Sequence, residues 1–160
     1  MRPMLRCTSV LMSIHEEWAV AILRGVKHWE FRRRCGLTPG TQIWIYVPAP
    51  RREIIGGFTV GEVRRVSAGW PDPQLARDGL STPIELRRYF DGLTWGVALQ
   101  VTHPRRLSRG VPLQRGQNGP QSYRFLDPAV RDRALVRRLV EAVGDHETRS
   151  VARPSRGGTR

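Results

Sequence analysis

A short charged segment near the N-terminus has the residue types of a polar binding site. Residues 25–32 read GVKHWEFR and contain the one lysine of the chain, since its 27 basic residues are 26 arginines and Lys27. A lysine ammonium is a compact charge whose pKa falls on desolvation, whereas a guanidinium stays charged. A carboxylate accepts hydrogen bonds, and a guanidinium binds a carboxylate or a phosphate through two N–H groups. We therefore predict a ligand-binding cleft marked by Lys27, Glu30 and Arg32.

Whether Lys27 and Glu30 share a site depends on the backbone between them. In a regular strand, side chains three residues apart lie on opposite faces. A bulge or a helix-to-strand transition would bring them together. Gly25 permits such a transition because it follows the last apolar turn of a predicted helix and glycine adopts positive φ. The alternative is a surface strand with ordinary charges.

Three further residues are candidates for the same cleft. The hydroxyl groups of Tyr46 and Ser122 lie at the ends of predicted strands. They either line the cleft or serve as ordinary buried hydrogen-bonding groups. Trp70 lies in a Gly-Trp-Pro loop, which either exposes its indole for stacking on a base or lets it cover one end of a barrel. Trp29, by contrast, is expected in the core.

The charge of the chain predicts a polyanionic partner. A net charge of +13 on 160 residues creates a field that attracts nucleic acid or a nucleotide. The excess of arginine over lysine is also typical of a GC-rich genome, so abundance alone does not identify a site. The arginine pairs are scattered, which argues against a membrane surface. The predicted phosphate contacts are Arg33, Arg34, Arg105 and Arg106.

Several functional classes are disfavoured by the sequence. The spacings of Cys7, His15, His28 and Cys35 match no zinc motif, and no phosphate-binding glycine loop is present. We therefore expect no metal and no cofactor. No apolar run is long enough to span a bilayer, and the first residues lack the features of a signal peptide. These features favour a cytoplasmic location, and the sequence leaves the oligomeric state open.

The local patterns predict short strands and helices around one core. A Ser13–Glu16 pattern and a Thr82–Glu85 pattern each resemble a capping box, and glycines interrupt the fourth predicted strand. Residues 104–119 are basic and contain proline and glycine, so we expect a loop there, with a short strand at 111–114 as an alternative. Residues 121–126 are expected to be extended. The predicted elements are strands at 5–12, 26–34, 42–47, 53–66 and 94–102, and helices at 14–24, 82–90 and 128–144.

This pattern predicts an α+β fold on a small mixed β-barrel of about five strands. Short helices lie at the connections, and a C-terminal helix ends at Gly144. We expect one domain at residues 1–144. Residues 145–160 contain few apolar residues and are predicted to form a basic, flexible tail.

The motif and its surroundings resemble the ASCH (activating signal cointegrator homology) domain family of the PUA-like superfamily. Residues 25–32 fit its Gly-x-Lys-x-x-Glu-x-Arg pattern, and further similar segments follow in the family's order over residues 5–126. These segments are residues 13–23, 43–46, 56–63 and 120–126. The resemblance implies a PUA-like barrel and nucleic-acid binding. In one branch of the family it implies hydrolysis of acetylated cytidine by a lysine and a threonine three residues later; here Lys27 matches, but Glu30 stands at the threonine position.

Three functions follow as hypotheses. The first is a module that binds RNA, another nucleic acid or a modified nucleotide in the cleft, through Gly25, Lys27, Glu30, Arg32, Tyr46, Trp70 and Ser122. The second is a ribonuclease or acetylcytidine hydrolase in which Lys27 is the acid-base group and Glu30 its catalytic partner. The third is a transcription-associated module whose basic residues 148–160 bind an acidic protein.

Overall fold

The computed structural model describes residues 8–151, and it describes side chains for residues 8–144. These residues form six strands and four helices. In chain order they are β1 (Ser9–Ser13), α1 (Glu16–Leu23), β2 (Trp29–Arg32), β3 (Gln42–Val47), β4 (Glu53–Ser67), α2 (Pro73–Asp78), α3 (Pro83–Tyr89), β5 (Trp95–Pro112), β6 (Tyr123–Phe125) and α4 (Arg133–Val151).

The strands form one mixed sheet in the order β2-β5-β4-β3-β1-β6. β1 and β3 run parallel, and the other neighbouring pairs run antiparallel. The predicted α+β class on a mixed, barrel-like sheet is confirmed in outline. The sheet has six strands rather than about five, and its end strands β2 and β6 do not pair with each other within residues 8–151.

The glycines of β4 mark the bends that the sequence predicts. The register between β4 and β5 shifts at three points between Ile54 and Val63. A Cβ on Gly57 would collide with the backbone carbonyl of Ile43, so a larger residue would separate β4 from β3. Because bulges bend a strand and increase its twist, these irregularities curve the sheet around its core.

Three hydrophobic clusters pack on the sheet. The first includes Ile22 of α1, and the second includes Leu139 of α4. The third joins the connection between β4 and β5 to β2, with Phe90 packing on Phe31. We call this connection, residues 68–94, the insertion. Trp29 belongs to the third cluster, as expected for a core residue.

Local capping signals define the two helices of the insertion. The Asp72 carboxylate accepts a hydrogen bond from the backbone N–H of Gln74 at 2.8 Å, which caps α2. The predicted capping box at the start of α3 is present, with Thr82 and Glu85 each bonding the other's backbone N–H. These bonds satisfy donors that a helix start leaves free, so both helices have fixed starts.

The other predicted capping box is wrong. Ser13 belongs to β1, where it pairs with Tyr46 of β3, and its hydroxyl donates to the carbonyl of Pro120. α1 instead begins at Glu16, with His15 as an N-cap residue that makes no side-chain capping bond. The residues at 5–7 of the predicted first strand lie outside the described residues.

Residues 104–112 form strand rather than the expected loop. β5 runs to Pro112 and pairs with β4 as far as Glu53. Arg105 and Arg106 lie opposite Gly57 and Gly56, so the two arginines are strand residues. The loop was predicted from the basic composition of this segment, but an exposed position in a strand also tolerates arginine.

The last helix is also displaced from its prediction. Asp127 caps a turn by accepting from the backbone N–H of Ala129 at 3.0 Å, and α4 begins at Arg133. It then continues past Gly144, where the sequence predicted its end, to Val151. The rest of the predicted tail, residues 152–160, lies outside the described residues. Of the helices described, none combines the length and the apolar character needed to cross a membrane.

Candidate functional site

A cleft of about 480 Å³ opens between α1, β2 and the insertion. Its floor contains Lys27, Glu30 and Arg32, the three charged residues of the motif. One wall is Trp18 of α1, and the opposite wall runs from Gly79 to Tyr89 in the insertion. The volume is typical of a site for a small molecule or a single nucleotide.

The junction of α1 and β2 brings Lys27 and Glu30 together. Gly25 has a φ of 74°, and the backbone N–H of Lys27 still donates to the carbonyl of Ala21 in the last turn. Strand geometry begins only at Trp29. Lys27 therefore lies in the helix-to-strand transition, and its Nζ is 3.8 Å from Oε2 of Glu30.

The three charged side chains form one buried cluster. Arg32 Nη2 is 3.0 Å from Oε1 of Glu30, so the carboxylate lies between two cations. Lys27, Glu30 and Arg32 are only 5%, 7% and 9% exposed. Two backbone carbonyls accept further bonds: Gly79 from Lys27 at 2.6 Å, and Ser13 from Arg32 at 2.8 Å. Burying a charge costs free energy unless the charge is paired, so these ion pairs and hydrogen bonds are needed to keep the three side chains buried.

The cluster retains one positive charge in excess. Two cations against one carboxylate leave a net charge of +1 when Lys27 is protonated. Arg32 Nε is buried without a hydrogen-bond partner, and no other described side-chain nitrogen or oxygen is in this situation. Glu85 also lines the cleft, but it is exposed and its carboxylate accepts bonds from Ser81 and Thr82. The floor therefore presents a positive charge that suits an oxygen-rich ligand.

Burial lowers the pKa of Lys27 below its ordinary 10.5. The neighbouring Arg32 lowers this pKa further, whereas the Glu30 carboxylate raises it. The ring centroids of Trp18 and Phe31 are each 5.2 Å from the ammonium nitrogen, and both rings favour the charged form. Lys27 is thus held in one position in an environment that eases loss of its proton.

Comparisons with known proteins identify the fold. No protein-family model matches the chain. An ASCH domain-containing ribonuclease of Zymomonas mobilis is 27% identical over 122 residues, which cover 72% of this chain and 82% of that protein. The crystal structure of ASCH from Zymomonas mobilis superposes with a TM-score of 0.69 at 24% identity, covering 83% of this chain and 94% of that one. A serine-to-alanine mutant of the same protein gives 0.71 at 24% identity, with 84% and 96% covered.

The chain resembles these ASCH proteins in sequence and shares their fold. The resemblance inferred from the motif is confirmed, and the α+β expectation with it. In this ASCH-like fold the motif residues form the floor of the cleft, and the insertion supplies the facing wall.

Four of the predicted ligand residues lie elsewhere in the structure. Gly25 shapes the turn but is not among the residues that line the cleft. Tyr46 is buried in the second hydrophobic cluster against Gly119. Trp70 is exposed outside the cleft, and Ser122 contributes its backbone carbonyl to the N–H of Ser13. Of these predicted positions, only Lys27, Glu30 and Arg32 line the cleft.

The four predicted phosphate contacts also lie outside the cleft lining. Arg33 donates to the backbone carbonyls of Tyr89 and Asp91, which attaches the end of α3 to β2. Arg105 Nη2 donates to Oε1 of Gln42 at 2.8 Å, while Arg34 and Arg106 are exposed. These positions remain predictions as phosphate contacts, and Arg33 has a visible structural role.

The wall that the insertion contributes to the cleft was not predicted from the sequence. Tyr89 lines the cleft, its hydroxyl donates to the Phe31 carbonyl at 3.3 Å, and burial raises its pKa. Leu80, next to Gly79, lines the cleft with a φ of 57°. The local sequence signal for this wall was Gly79, which lies three residues before the N-cap residue Thr82. Among the residues described, no three His, Cys, Asp or Glu side chains are grouped so that they could hold a metal ion.

Proposed function

We propose that this ASCH domain binds RNA, with one nucleotide entering the cleft. The proposal rests chiefly on the buried cluster of Lys27, Glu30 and Arg32, which has an excess positive charge and lines the cleft. The similarity to a protein named as a ribonuclease supports RNA as the class of ligand.

The two kinds of group on the floor suit different parts of a nucleotide. The positive charges of Lys27 and Arg32 attract a phosphate or a base oxygen. The Glu30 carboxylate repels a phosphate but accepts bonds from a base N–H or a ribose hydroxyl. Trp18 and Tyr89 provide aromatic surface at the walls, on which a base can pack.

Charge outside the cleft contributes affinity without selectivity. The net charge of +13 attracts the RNA backbone, and contacts of this kind weaken as salt increases. Selection among bases then depends on the cleft, because phosphate contacts position a nucleic acid and base contacts specify it.

A second candidate function is RNA cleavage. It is favoured by the lowered pKa of Lys27, by the 3.8 Å that separates Lys27 Nζ from Glu30 Oε2, and by the name of the relative. In this reaction a ribose 2′-oxygen attacks the adjacent phosphorus, and Glu30 accepts the proton of the 2′-hydroxyl. The bond from phosphorus to the 5′-oxygen breaks as Lys27 protonates that oxygen. The products are a 2′,3′-cyclic phosphate and a 5′-hydroxyl, and proton exchange restores both residues.

Hydrolysis of acetylated cytidine is less well supported. The hydroxyl nucleophile of that branch would stand at Glu30, which here is ion-paired with Arg32 at 3.0 Å. The alternative of a transcription-associated interaction module rests on residues 148–160, of which 152–160 lie outside the described residues.

The decisive experiment compares two charge-removing variants. Lys27→Met removes the cleft ammonium, whereas Arg133→Met removes an exposed charge at the start of α4. We measure binding of a fluorescent single-stranded RNA across a salt series and analyse the same samples for cleavage products. Because a hydrogen bond to a charged group contributes about 1.5–3 kcal/mol, Lys27→Met should weaken binding at least tenfold. Arg133→Met should change it little.

Analysis of RNA fragments distinguishes the two candidate functions, RNA binding and RNA cleavage. RNA binding that depends on Lys27 without new fragments supports the binding module. Fragments that end in a 2′,3′-cyclic phosphate, and that disappear in Lys27→Met, support the ribonuclease. If the two variants bind RNA equally at every salt concentration, the cleft is not the RNA site.

A further inference from the structure

Two tryptophans are exposed at the root of the insertion. Trp70, just after β4, is 85% exposed, and Trp95, the first residue of β5, is 49% exposed. Trp70 has the highest exposed fraction of the large hydrophobic residues in the described part of the chain. Tryptophan is usually well buried, so a pair at one place indicates a contact surface.

Both tryptophans are anchored to the same residue of the sheet. Trp95 lies directly opposite Ser67 in the β4–β5 ladder. The backbone N–H of Trp70 donates to the hydroxyl of the same Ser67 at 3.1 Å. Trp70 is followed by buried Pro71 and then by Asp72, the N-cap of α2. The two indoles therefore extend from a fixed backbone.

The strand register places Trp95 beside the cleft floor. Arg32 lies opposite Val97 on β5, and Trp95 is two residues farther along the same strand. Residues two apart in a strand share a face and are about 7 Å apart along it. Trp95 consequently lies on the same face of the ladder as Arg32. The chain beyond β2 continues with Arg33 and Arg34 in the direction of Trp95.

Exposed arginines lie on both sides of Trp95. On β4, exposed Arg65 lies opposite Val97, which places it diagonally across the ladder from Trp95. Such diagonal neighbours are within reach of long side chains. Exposed Arg34 follows the end of β2 on the other side. Aromatic rings next to guanidinium groups are the combination that binds single-stranded nucleic acid, because bases stack on the rings and phosphates meet the charges.

We propose that Trp70 and Trp95 form a stacking platform for the RNA nucleotides that extend from the cleft. The platform rests on the proposed function, since the cleft supplies the first nucleotide. Its occupant is unstructured single-stranded RNA rather than a protein. Arg34 and Arg65 supply charge complementary to the RNA backbone, and the net charge of +13 favours the same ligand.

The test compares ligand lengths and residue types. We measure affinity for a dinucleotide and for a single-stranded RNA of about 12 nucleotides, a length within the range that aromatic grooves bind. Trp70→Leu and Trp95→Leu keep apolar bulk but remove the ring, whereas Trp70→Phe and Trp95→Phe keep a ring. Each leucine variant should bind the longer RNA about tenfold more weakly and the dinucleotide as wild type does. The phenylalanine variants should retain most of the affinity. Thermal unfolding of each variant confirms that the fold is retained.

The outcomes separate the platform from the cleft. Unchanged affinity of both leucine variants for the longer RNA would overturn the platform, even if Lys27→Met still weakens binding. Equal losses in the leucine and phenylalanine variants would also overturn it, because ring stacking would then not be the interaction. If the wild-type protein binds neither ligand, the proposed function itself fails.

Discussion

Replacing Glu30 by glutamine tests whether the cleft floor is an electrostatic cluster. Glu30→Gln keeps the shape of the side chain but removes the negative charge between Lys27 and Arg32. At 3.8 Å and an effective dielectric constant of 20, the attraction between Lys27 and Glu30 is about 4 kcal/mol. At 3.0 Å, the attraction between Arg32 and Glu30 is about 5–6 kcal/mol.

The net loss is smaller than the sum of these attractions. The native state no longer has to desolvate the carboxylate, and the glutamine oxygen still accepts a hydrogen bond. Removing one partner of a buried ion pair typically costs about 3–5 kcal/mol. Since a domain is usually stable by about 5–15 kcal/mol, we expect Glu30→Gln to remove a large part of the free energy of unfolding.

Urea unfolding of two matched variants provides the assay. Glu62 also pairs with an arginine, with its Oε1 2.7 Å from Arg64 Nε, but both side chains are about half exposed. Glu62→Gln should therefore leave the midpoint almost unchanged. Adding Lys27→Met to Glu30→Gln removes one of the two uncompensated cations, so the double variant should be more stable than Glu30→Gln alone. If Glu30→Gln unfolds at the same urea concentration as Glu62→Gln, the reasoning about the buried cluster is refuted.

Two further predictions concern pH and the insertion wall. Burial holds the folded-state pKa of Lys27 below its ordinary 10.5, so the unfolded chain binds more protons between the two pKa values. Stability should therefore rise with pH across that window, and Lys27→Met should remove this contribution; an unchanged slope in urea midpoints against pH would contradict it. Gly79→Ala places a Cβ against the Phe31 ring, so we expect a loss of about 1–3 kcal/mol in urea unfolding. Gly36→Ala, which has open space around its Cβ, should cost little, and equal midpoints for the two variants would exclude the steric explanation.

The features that were predictable from the sequence depend on neighbouring residues. The capping box at Thr82, the bends in β4 and the buried strand β3 each have a local pattern. The meeting of Lys27 and Glu30 was also foreseeable as one of two alternatives, because Gly25 ends the preceding helix. In each case the physical cause lies within a few residues of its effect.

The features that were missed depend on distant contacts. Ser13 has the local signature of a helix cap, but pairing with Tyr46 in the parallel ladder keeps it in β1. Residues 104–112 are basic, yet pairing with β4 extends β5 through them. The wall of the cleft meets its floor through a bond from Lys27 to Gly79, residues 52 positions apart in the chain. Spacing along a sequence carries no signal for such contacts.

The attachment of the insertion to β2 also protects the domain from self-association. β2 is an end strand of the sheet, and an uncovered end strand can pair with the same strand of another molecule. In this domain all four residues of β2 are buried, and the Tyr89 hydroxyl donates a hydrogen bond to the Phe31 carbonyl. Arg33 fixes the end of α3 beside the strand. The insertion therefore covers a strand edge that would otherwise be open to pairing with another molecule.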